Sequence, residues 1–325
     1  MSRVWSVLAL IAFPAIAQVR IPAEPQQKMS ETVSVGYVMI PFTALDPKGR
    51  AITDLRAGEV SLSVDGKRVR SDMFEKSQNA PVSFTILLDG SGSMALAGKM
   101  DAARAAIGAL LAHRKPGDDF ALYVFAESIA RELVPHTEKP SEITDALATV
   151  KPYGKTAFFD ALSTMPELSG LGNNPTRAVI LLSDGIDNAS ALTRPELAKK
   201  LEGVAVPMYP LGIRDHPKEK EDESKRPREE MSDIGILDEV ARLTGGKLYL
   251  GSTPNQISLA VAAIEKDLRA QYLIGFKPTG KGAVKYRRIS LRLANRVQTV
   301  RVRAGYLGTE PPLVASRGKN ERKGS

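Results

Sequence analysis

The sequence predicts an α/β fold: a Rossmann-like, doubly wound, mostly parallel sheet with a smaller flanking β domain. Three observations lead to this prediction. Strand and helix patterns alternate through the middle of the chain, period-two patterns with tight turns occupy both ends, and 43% of the 325 residues are hydrophobic. That amount of apolar material can fill a large core, and the length leaves room for two domains.

The first residues have the pattern of a secretory signal peptide. Arg3 precedes an apolar run from Val4 to Phe13, and Ala15 to Ala17 gives an A-x-A cleavage pattern. The run is too short to span a bilayer comfortably. An uncleaved anchor or a buried helix is the alternative. We expect residues 1–17 to be removed and the mature chain to be secreted or periplasmic.

Composition excludes several classes of site. The chain has no cysteine, so it has no disulfide, thiolate metal site, cysteine nucleophile or lipid-modified cysteine anchor. The net charge is +8, but residues 276–325 hold 13 Lys or Arg against 2 Glu, so the first 275 residues are slightly acidic. Between Tyr286 and Arg303 basic and apolar residues alternate, as on one solvated strand face. We therefore expect no nucleic-acid partner, while peripheral association with an anionic envelope stays open.

Residues 26–80 are predicted to form strands joined by tight turns. An apolar run covers Val33 to Phe42, and a Pro- and Gly-containing turn follows at 46–49. From Val60 to Val64 apolar residues alternate with polar ones, and Asp65-Gly66 is typical of a two-residue hairpin turn. This segment predicts an antiparallel β structure.

From Pro81 the pattern changes to alternating strands and helices, which we assign to one domain of residues 81–270. The predicted strands are 84–88, 120–125, 178–182, 204–213 and 248–250. The predicted helices are 100–111, 142–150, 158–168, 195–201, 234–243 and 256–270. Such alternation predicts a mostly parallel sheet with helices on both faces.

The rest of the chain is predicted to contain a charged loop, a C-terminal β segment and a disordered tail. Residues 214–232 are dense in charged residues and almost without apolar ones, so they cannot bury enough surface to order themselves. A C-terminal β segment, residues 271–309, holds strands expected at 272–276, 284–293 and 297–306. The basic tail 310–325 is predicted to be disordered.

Oxygen-bearing side chains follow two strands of the predicted sheet. The two runs are Asp89-Gly90-Ser91-Gly92-Ser93 and Ser183-Asp184-Gly185. In open α/β sheets, ligands bind beyond the carboxyl ends of the strands, where the strand order reverses. Hydroxyl and carboxylate oxygens suit a hard divalent cation. Simple capping of helices and loops by Ser and Asp is the competing interpretation.

The first run resembles the D-x-S-x-S motif of the von Willebrand factor type A family. That family's metal-ion-dependent adhesion site also uses a threonine before a helix and an aspartate after a central strand, which Thr156 and Asp184 match. The resemblance implies that Ser91, Ser93 and Thr156 offer hydroxyl oxygens to the ion, and that Asp89 and Asp184 hold it partly through water. We expect Mg²⁺, with Mn²⁺ or Ca²⁺ as alternatives; Asp187 is assigned to a loop.

The wider chain is similar to the secreted bacterial VWFA-related family first noted in acidobacteria. This resemblance rests on Asp54-Leu55 before the strand 60–65, on Gln271 to Phe276 and on Arg303 to Tyr306, and it covers nearly the whole mature chain. The sequence departs from the family at the charged insertion and at Lys155, where the family often has a second glycine. Neither departure removes a predicted ligand.

The predicted site favours binding over catalysis. A metal with few anionic ligands stays a strong Lewis acid and accepts a carboxylate from outside. We therefore expect metal-dependent, non-enzymatic binding of a protein or envelope ligand that offers a Glu or Asp. A structural envelope module with a vestigial site is the alternative, and the oligomeric state is not predicted.

An enzymatic function is the least favoured hypothesis. Residues 92–95 are similar to the nucleophile segment of subtilisin-like proteases, but none of His113, His136 and His216 lies in a recognisable base motif. The chain also lacks a phosphate-binding G-x-x-x-x-G-K-[ST] run and a dinucleotide fingerprint. A serine or metal-dependent hydrolase therefore has no identifiable base.

Overall fold

The computed structural model of the protein describes residues 36–77, 80–214, 228–280, 282–295 and 297–313. Four predictions lie wholly or partly outside these residues. They are the signal peptide at 1–17, the start of the β segment at 26–80, most of the charged segment at 214–232, and the tail from residue 314 onward.

The described strands are β1 (Val38–Leu45), β2 (Val60–Val64), β3 (Lys67–Arg68), β4 (Met73–Lys76), β5 (Val82–Asp89), β6 (Asp119–Phe125), β7 (Arg131–Thr137), β8 (Thr176–Ser183), β9 (Met208–Ile213), β10 (Tyr249–Gly251), β11 (Tyr272–Phe276), β12 (Lys285–Leu293), β13 (Thr299–Val302) and β14 (Gly305–Gly308). The described α-helices are α1 (Lys99–Ala112), α2 (Pro140–Thr149), α3 (Phe158–Leu162), α4 (Met165–Leu168), α5 (Arg194–Leu201), α6 (Arg228–Thr244) and α7 (Pro254–Arg269).

The central sheet has the strand order β10-β9-β8-β5-β6-β7, and all its pairings are parallel except that of β6 with β7. Strand β5 lies between β6 and β8. From β5 the chain continues to β6 and β7 on one side, and the later strands β8, β9 and β10 lie on the other side. The strand order therefore reverses between β5 and β8. This reversal creates the crevice in which such sheets bind ligands.

Helices cover both faces of the central sheet. One core holds Phe84, Ile86 and Leu88 of β5 together with residues of α1, α2 and α7. The other holds Leu87 of β5 together with residues of α3, α5 and α6. Every residue of β5 is buried, as a strand covered on both faces requires. These two cores hold the ends of β5 and β8 in fixed positions.

The strands before and after the central sheet combine into two antiparallel sheets. Their orders are β13-β1-β11-β4 and β14-β12-β2-β3, so each contains strands from both ends of the described chain. A separate core lies between them, where the rings of Phe42 and Tyr272 stack with centroids 5.5 Å apart. The predicted fold class, a mostly parallel α/β sheet with flanking β strands from both ends, is confirmed.

Several elements differ from the sequence prediction. The edge strands β4 and β7 were not predicted. Strand β7 carries Pro135 and the charged residues Arg131 and Glu132, which are typical of edge strands but are weak strand signals. The helix predicted at 158–168 is divided into α3 and α4. The strand predicted at 297–306 is divided into β13 and β14, which belong to different sheets.

Two segments expected to be irregular are partly ordered. Helix α6 begins at Arg228, before its predicted start at residue 234, and shortens the charged loop. At the other end, Leu313 forms a β-bridge with Val69, so regular pairing continues past residue 309. Of the helices described, none is long and apolar enough to cross a membrane.

Candidate metal centre

The candidate site lies at the carboxyl ends of β5 and β8, where the strand order reverses. Asp89 ends β5, and Ser183 ends the neighbouring β8. Both side chains are completely buried. The Ser183 hydroxyl donates to Asp89 Oδ2 at 2.6 Å, and the Ser91 backbone N–H donates to Asp89 Oδ1 at 2.9 Å. Both carboxylate oxygens of Asp89 are therefore held by neighbouring donors.

Asp89 is electrostatically unfavourable where it lies. Burial raises the pKa of Asp89 to about 6, hydrogen bonds from Ser183 and Ser91 oppose that shift, and the charge of Asp184 adds to it. The net rise in pKa means that the hydrogen-bond donors do not fully offset the cost of burying the ionised carboxylate. A nearby cation would stabilise it.

The two serines lie on a loop that approaches a neighbouring loop closely at the glycine between them. The hydroxyl oxygens of Ser91 and Ser93 are 3.1 Å apart, with Ser91 buried and Ser93 half-buried. Gly92, between them, donates its N–H to the Gly154 carbonyl at 3.0 Å, and a Cβ on Gly92 would lie 2.9 Å from that oxygen. Because a side chain would push the two loops apart, Gly92 allows the loop of Thr156 to approach the serines.

The main chain of Thr156 is held by hydrogen bonds to the loop after β8. It is buried; its N–H donates to Asn188 Oδ1 at 2.8 Å, and its carbonyl accepts from the N–H groups of Asn188 and Ala189, each at 3.0 Å. Within the described ranges, no hydrogen bond joins its hydroxyl to the other four predicted ligands. The structure therefore brings the loop of Thr156 to the site but shows no direct contact of its hydroxyl.

Asp187 is more than the loop residue that the sequence indicated. Its Oδ1 accepts the N–H of Phe158 at 2.9 Å and that of Phe159 at 3.3 Å, which are the first two residues of α3. Helix α3 begins two residues after Thr156. Asp187 therefore fixes the start of this helix and, through it, the loop of Thr156.

Asp184 has a partner that the sequence did not reveal. Its Oδ2 lies 3.0 Å from the Nζ atom of Lys99, and its Oδ1 accepts the N–H of Ile186 at 3.3 Å. Lys99 is the first residue of α1, and an N-terminal helical lysine gives no sequence signal of burial. The ion pair therefore appears only in the tertiary structure.

The donor set fits a hard divalent cation. In the part of the chain that the structure describes, no three His, Cys, Asp or Glu side chains gather as a metal cluster. The candidate site has two carboxylates, so an ion there would depend on hydroxyl and water oxygens as well. That chemistry suits Mg²⁺, which keeps several waters and few charged ligands.

Residues 84–186 match the family model described as the von Willebrand factor type A domain. The chain contains a von Willebrand factor type A domain. All five predicted ligands, and Lys99, lie within the matched segment of the type A domain. No curated protein sequence matches the chain.

Several solved structures are similar to this chain. An aerotolerance-related membrane protein from Bacteroides fragilis is 20% identical with a TM-score of 0.45, over 57% of this chain and 98% of that one. A von Willebrand factor type A protein from Catenulispora acidiphila is 15% identical with a TM-score of 0.46, over 82% and 74%. Proximal thread matrix protein 1 from the mussel byssus, with a zinc-occupied MIDAS motif, is 17% identical with a TM-score of 0.45, over 62% and 48%.

A second polar cluster in the type A domain contains an aspartate, a histidine and a hydroxyl, which are the three kinds of group in a hydrolase triad. His136 Nδ1 lies 2.6 Å from Asp119 Oδ1, and its Nε2 lies 3.4 Å from the Thr85 hydroxyl. Thr85 is in the middle of β5 and only 2% exposed, and the His136 side chain is 7% exposed. These buried side chains link strands β5, β6 and β7.

Proposed function

We propose that the type A domain binds a divalent metal, with Mg²⁺ as the first candidate, and holds a Glu or Asp carboxylate of a protein or envelope partner without catalysis. The observation that supports this proposal is the position of Asp89, the two serines and Asp184 at the carboxyl ends of the neighbouring strands β5 and β8, where the strand order reverses. Burial raises the pKa of Asp89, so a cation beside its carboxylate would stabilise the ionised form. Half-buried Ser93 leaves the site open toward solvent.

The resemblance to the type A family suggests how the residues would share the ion. Ser91, Ser93 and Thr156 would offer hydroxyl oxygens, while Asp89 and Asp184 would act partly through water. A bound metal would supply Lewis acidity toward an outside carboxylate. Asp89 already holds the serine loop through the Ser91 N–H, so it would orient hydroxyl ligands even where it does not touch the ion.

The surface around the site supports the partner part of the proposal. Large apolar side chains are exposed on the loops that build the site: Leu96 is 63% exposed and Tyr153 66%. Each belongs to a site loop, because Leu96 N–H donates to the Ser93 carbonyl and Tyr153 N–H to the Gly90 carbonyl. Lys155, next to Tyr153, is exposed as well. These residues would favour an acidic partner with an apolar group beside its carboxylate.

Calorimetry tests the metal first. Titration of MgCl₂ into chelator-treated protein is expected to show saturable binding, and Asp89→Ala is expected to abolish it because the variant loses a carboxylate at the centre of the site. The matched control is Asp101→Ala, whose side chain is 82% exposed on α1. Loss of binding in both variants, or in neither, would contradict the proposal.

The same preparation tests the partner. A library of short displayed peptides is selected on magnesium-loaded protein and eluted with chelator. Enriched peptides are expected to contain Glu or Asp beside an apolar residue. Enrichment of peptides without an acidic residue, or binding that persists in chelator, would rule out a metal-held carboxylate.

The ion pair of Lys99 with Asp184 favours a second candidate, a structural envelope module that needs no metal. In that case the domain would be equally stable with chelator and with magnesium, and calorimetry would show no heat of binding. Under either candidate we propose a secreted or periplasmic location, which rests on the pattern of residues 1–17 alone.

A further inference from the structure

We propose that Glu127 is a further positioning residue of the candidate metal centre: from the loop between β6 and β7, residues 126–130, its carboxylate holds the main chain that leads into Thr156. This inference rests on the proposed metal site. It adds a residue that belongs to none of the three loops carrying the predicted ligands, and it concerns how the loop of Thr156 is kept in place beside the serines.

A hydrogen bond is the first observation. Oε1 of Glu127 accepts the N–H of Lys155 at 3.1 Å, and Lys155 directly precedes Thr156. The carbonyl of Gly154, one residue earlier, accepts the N–H of Gly92 from the serine loop at 3.0 Å. The main chain before Thr156 is therefore bonded to the serine loop at Gly154 and to the β6–β7 loop at Lys155.

Close packing is the second observation. Gly154 is left-handed with a φ of 72°, and a Cβ built on it would lie 2.4 Å from Glu127 Oε1 and 2.6 Å from Glu127 Cγ. Such distances are too short for a real Cβ, so the side chain of Glu127 fills the place that a side chain at position 154 would take. The glycine thus allows the carboxylate to reach the N–H of Lys155.

Main-chain bonds from the two preceding residues are the third observation. The carbonyl of Phe125 accepts the N–H of Gly90, at the start of the serine loop, and the carbonyl of Ala126 accepts the N–H of Ala157, each at 2.7 Å. This short stretch therefore contacts the serine loop as well as the residues on both sides of the predicted threonine ligand. The contact of Glu127 is made by a side chain, so a substitution can remove it and leave the two main-chain bonds.

The charge of Glu127 is a weaker candidate than its hydrogen bond for an effect on the site. The residue is exposed, and an exposed carboxylate attracts a cation only weakly through water and salt. Positioning needs an acceptor oxygen, which glutamine also offers, whereas attraction needs the negative charge. Glu127→Gln therefore separates the two effects.

Calorimetry with MgCl₂ is the first test. Glu127→Ala frees the loop before Thr156, which must then be ordered on binding, so we expect magnesium to bind about tenfold more weakly than to the native chain. Glu127→Gln is expected to stay within about twofold of the native affinity. The matched control is Glu138→Ala, which removes an exposed carboxylate at the other end of β7 and should keep the native affinity. Native affinity in Glu127→Ala, or an equal loss in Glu127→Gln, would overturn the inference.

A measurement without metal keeps the test independent of the proposed function. Amide hydrogen exchange is followed by NMR in chelator, where the N–H of Thr156 donates to Asn188 Oδ1 in the native chain. We expect the Thr156 amide to exchange severalfold faster in Glu127→Ala, and Glu127→Gln to restore slow exchange. The N–H of Val82, bonded to buried Asp118, should exchange alike in all variants and so report a folded domain. Unchanged exchange at Thr156 in Glu127→Ala would contradict the positioning role.

These measurements separate the inference from the proposed function. Faster exchange at Thr156 in Glu127→Ala, together with no magnesium binding by the native chain, would support the positioning of the loop and end the proposal of a working metal site. Magnesium binding that is equal in the native chain and in Glu127→Ala would leave the proposed function and overturn the inference. No binding and unchanged exchange would overturn both.

Discussion

At the scale of single residues, the candidate site is a balance of charges in a buried crevice. Asp89 and Asp184 bring two carboxylates together, and Lys99 brings one ammonium. The Ser183 and Ser91 donors reduce the remaining cost of burying Asp89. The buried carboxylate of Asp89 is therefore held by hydrogen bonds, and that of Asp184 by an ion pair.

Ser183 is a positioning residue for Asp89. Its hydroxyl donates to Asp89 Oδ2 at 2.6 Å and accepts the N–H of Gly185 at 3.0 Å. Ser183→Ala leaves a buried carboxylate oxygen without its donor, so we expect a loss of about 1–3 kcal/mol in the free energy of unfolding. Urea denaturation in chelator measures it.

The control for Ser183 is Ser141→Ala, on the exposed surface of α2. This variant is expected to change the free energy of unfolding by less than about 0.5 kcal/mol. Equal stability of the two variants would show that Ser183 does not support Asp89.

At the scale of elements, three loops meet because their ends are tied to one another. The serine loop after β5 is bonded to the loop before α3 through Gly92 and Gly154, and that loop is bonded to the one after β8 through Thr156 and Asn188. The serine loop and the loop after β8 leave the carboxyl ends of neighbouring strands, whereas the loop between them joins helices α2 and α3. Helix α3 has only five residues, which give little helical stability of their own.

Asp187 supplies what α3 lacks by itself. Because it caps the N–H groups of Phe158 and Phe159, Asp187→Ala is expected to lower the free energy of unfolding by about 1–2 kcal/mol. The freed start of α3 should also loosen Thr156, so weaker magnesium binding is expected by calorimetry. Asp187→Asn retains an acceptor oxygen and should lose less on both measurements. An Asp187→Ala protein as stable as the native one would contradict this role.

At the scale of the whole molecule, the flanking sheets contain strands from both ends of the described chain. Strand β1 pairs with β11 and β13, so residues before the type A domain lie against residues after it. The guanidinium of Arg301, on β13, pairs with Asp267 of α7 and donates to the Thr43 hydroxyl of β1. One flanking sheet is thus joined to helix α7 by a largely buried ion pair.

Buried tyrosines predict how the stability of the whole chain depends on alkaline pH. Burial raises the pKa of Tyr306 and of Tyr249 to about 12, from 10.0 for an exposed tyrosine. The folded state then keeps protons that the unfolded chain releases. Their contribution to stability is complete below pH 10 and is lost as the pH rises toward about 12. We expect urea midpoints to fall between about pH 10 and pH 12, and to fall less in Tyr306→Phe. An equal fall in that variant would contradict this origin.

Sequence periodicity was enough to predict the fold class and the places of the candidate site residues along the chain. Strand and helix periodicity is local, and it predicted β5 and β8 with Asp89 and Asp184 at their ends. Local patterns were weaker for the edge strand β7 and for the division of the helix predicted at 158–168, because edge strands carry polar residues and short helices depend on caps from elsewhere.

The contacts of each site residue can be read only from the folded chain. Ser183 meets Asp89 across 94 positions of the chain, and Lys99 meets Asp184 across 85. Nothing in the local pattern of a helix start or a strand end indicates such a partner, because the contact depends on which strands become neighbours. The reversal of strand order between β5 and β8 brings these residues together.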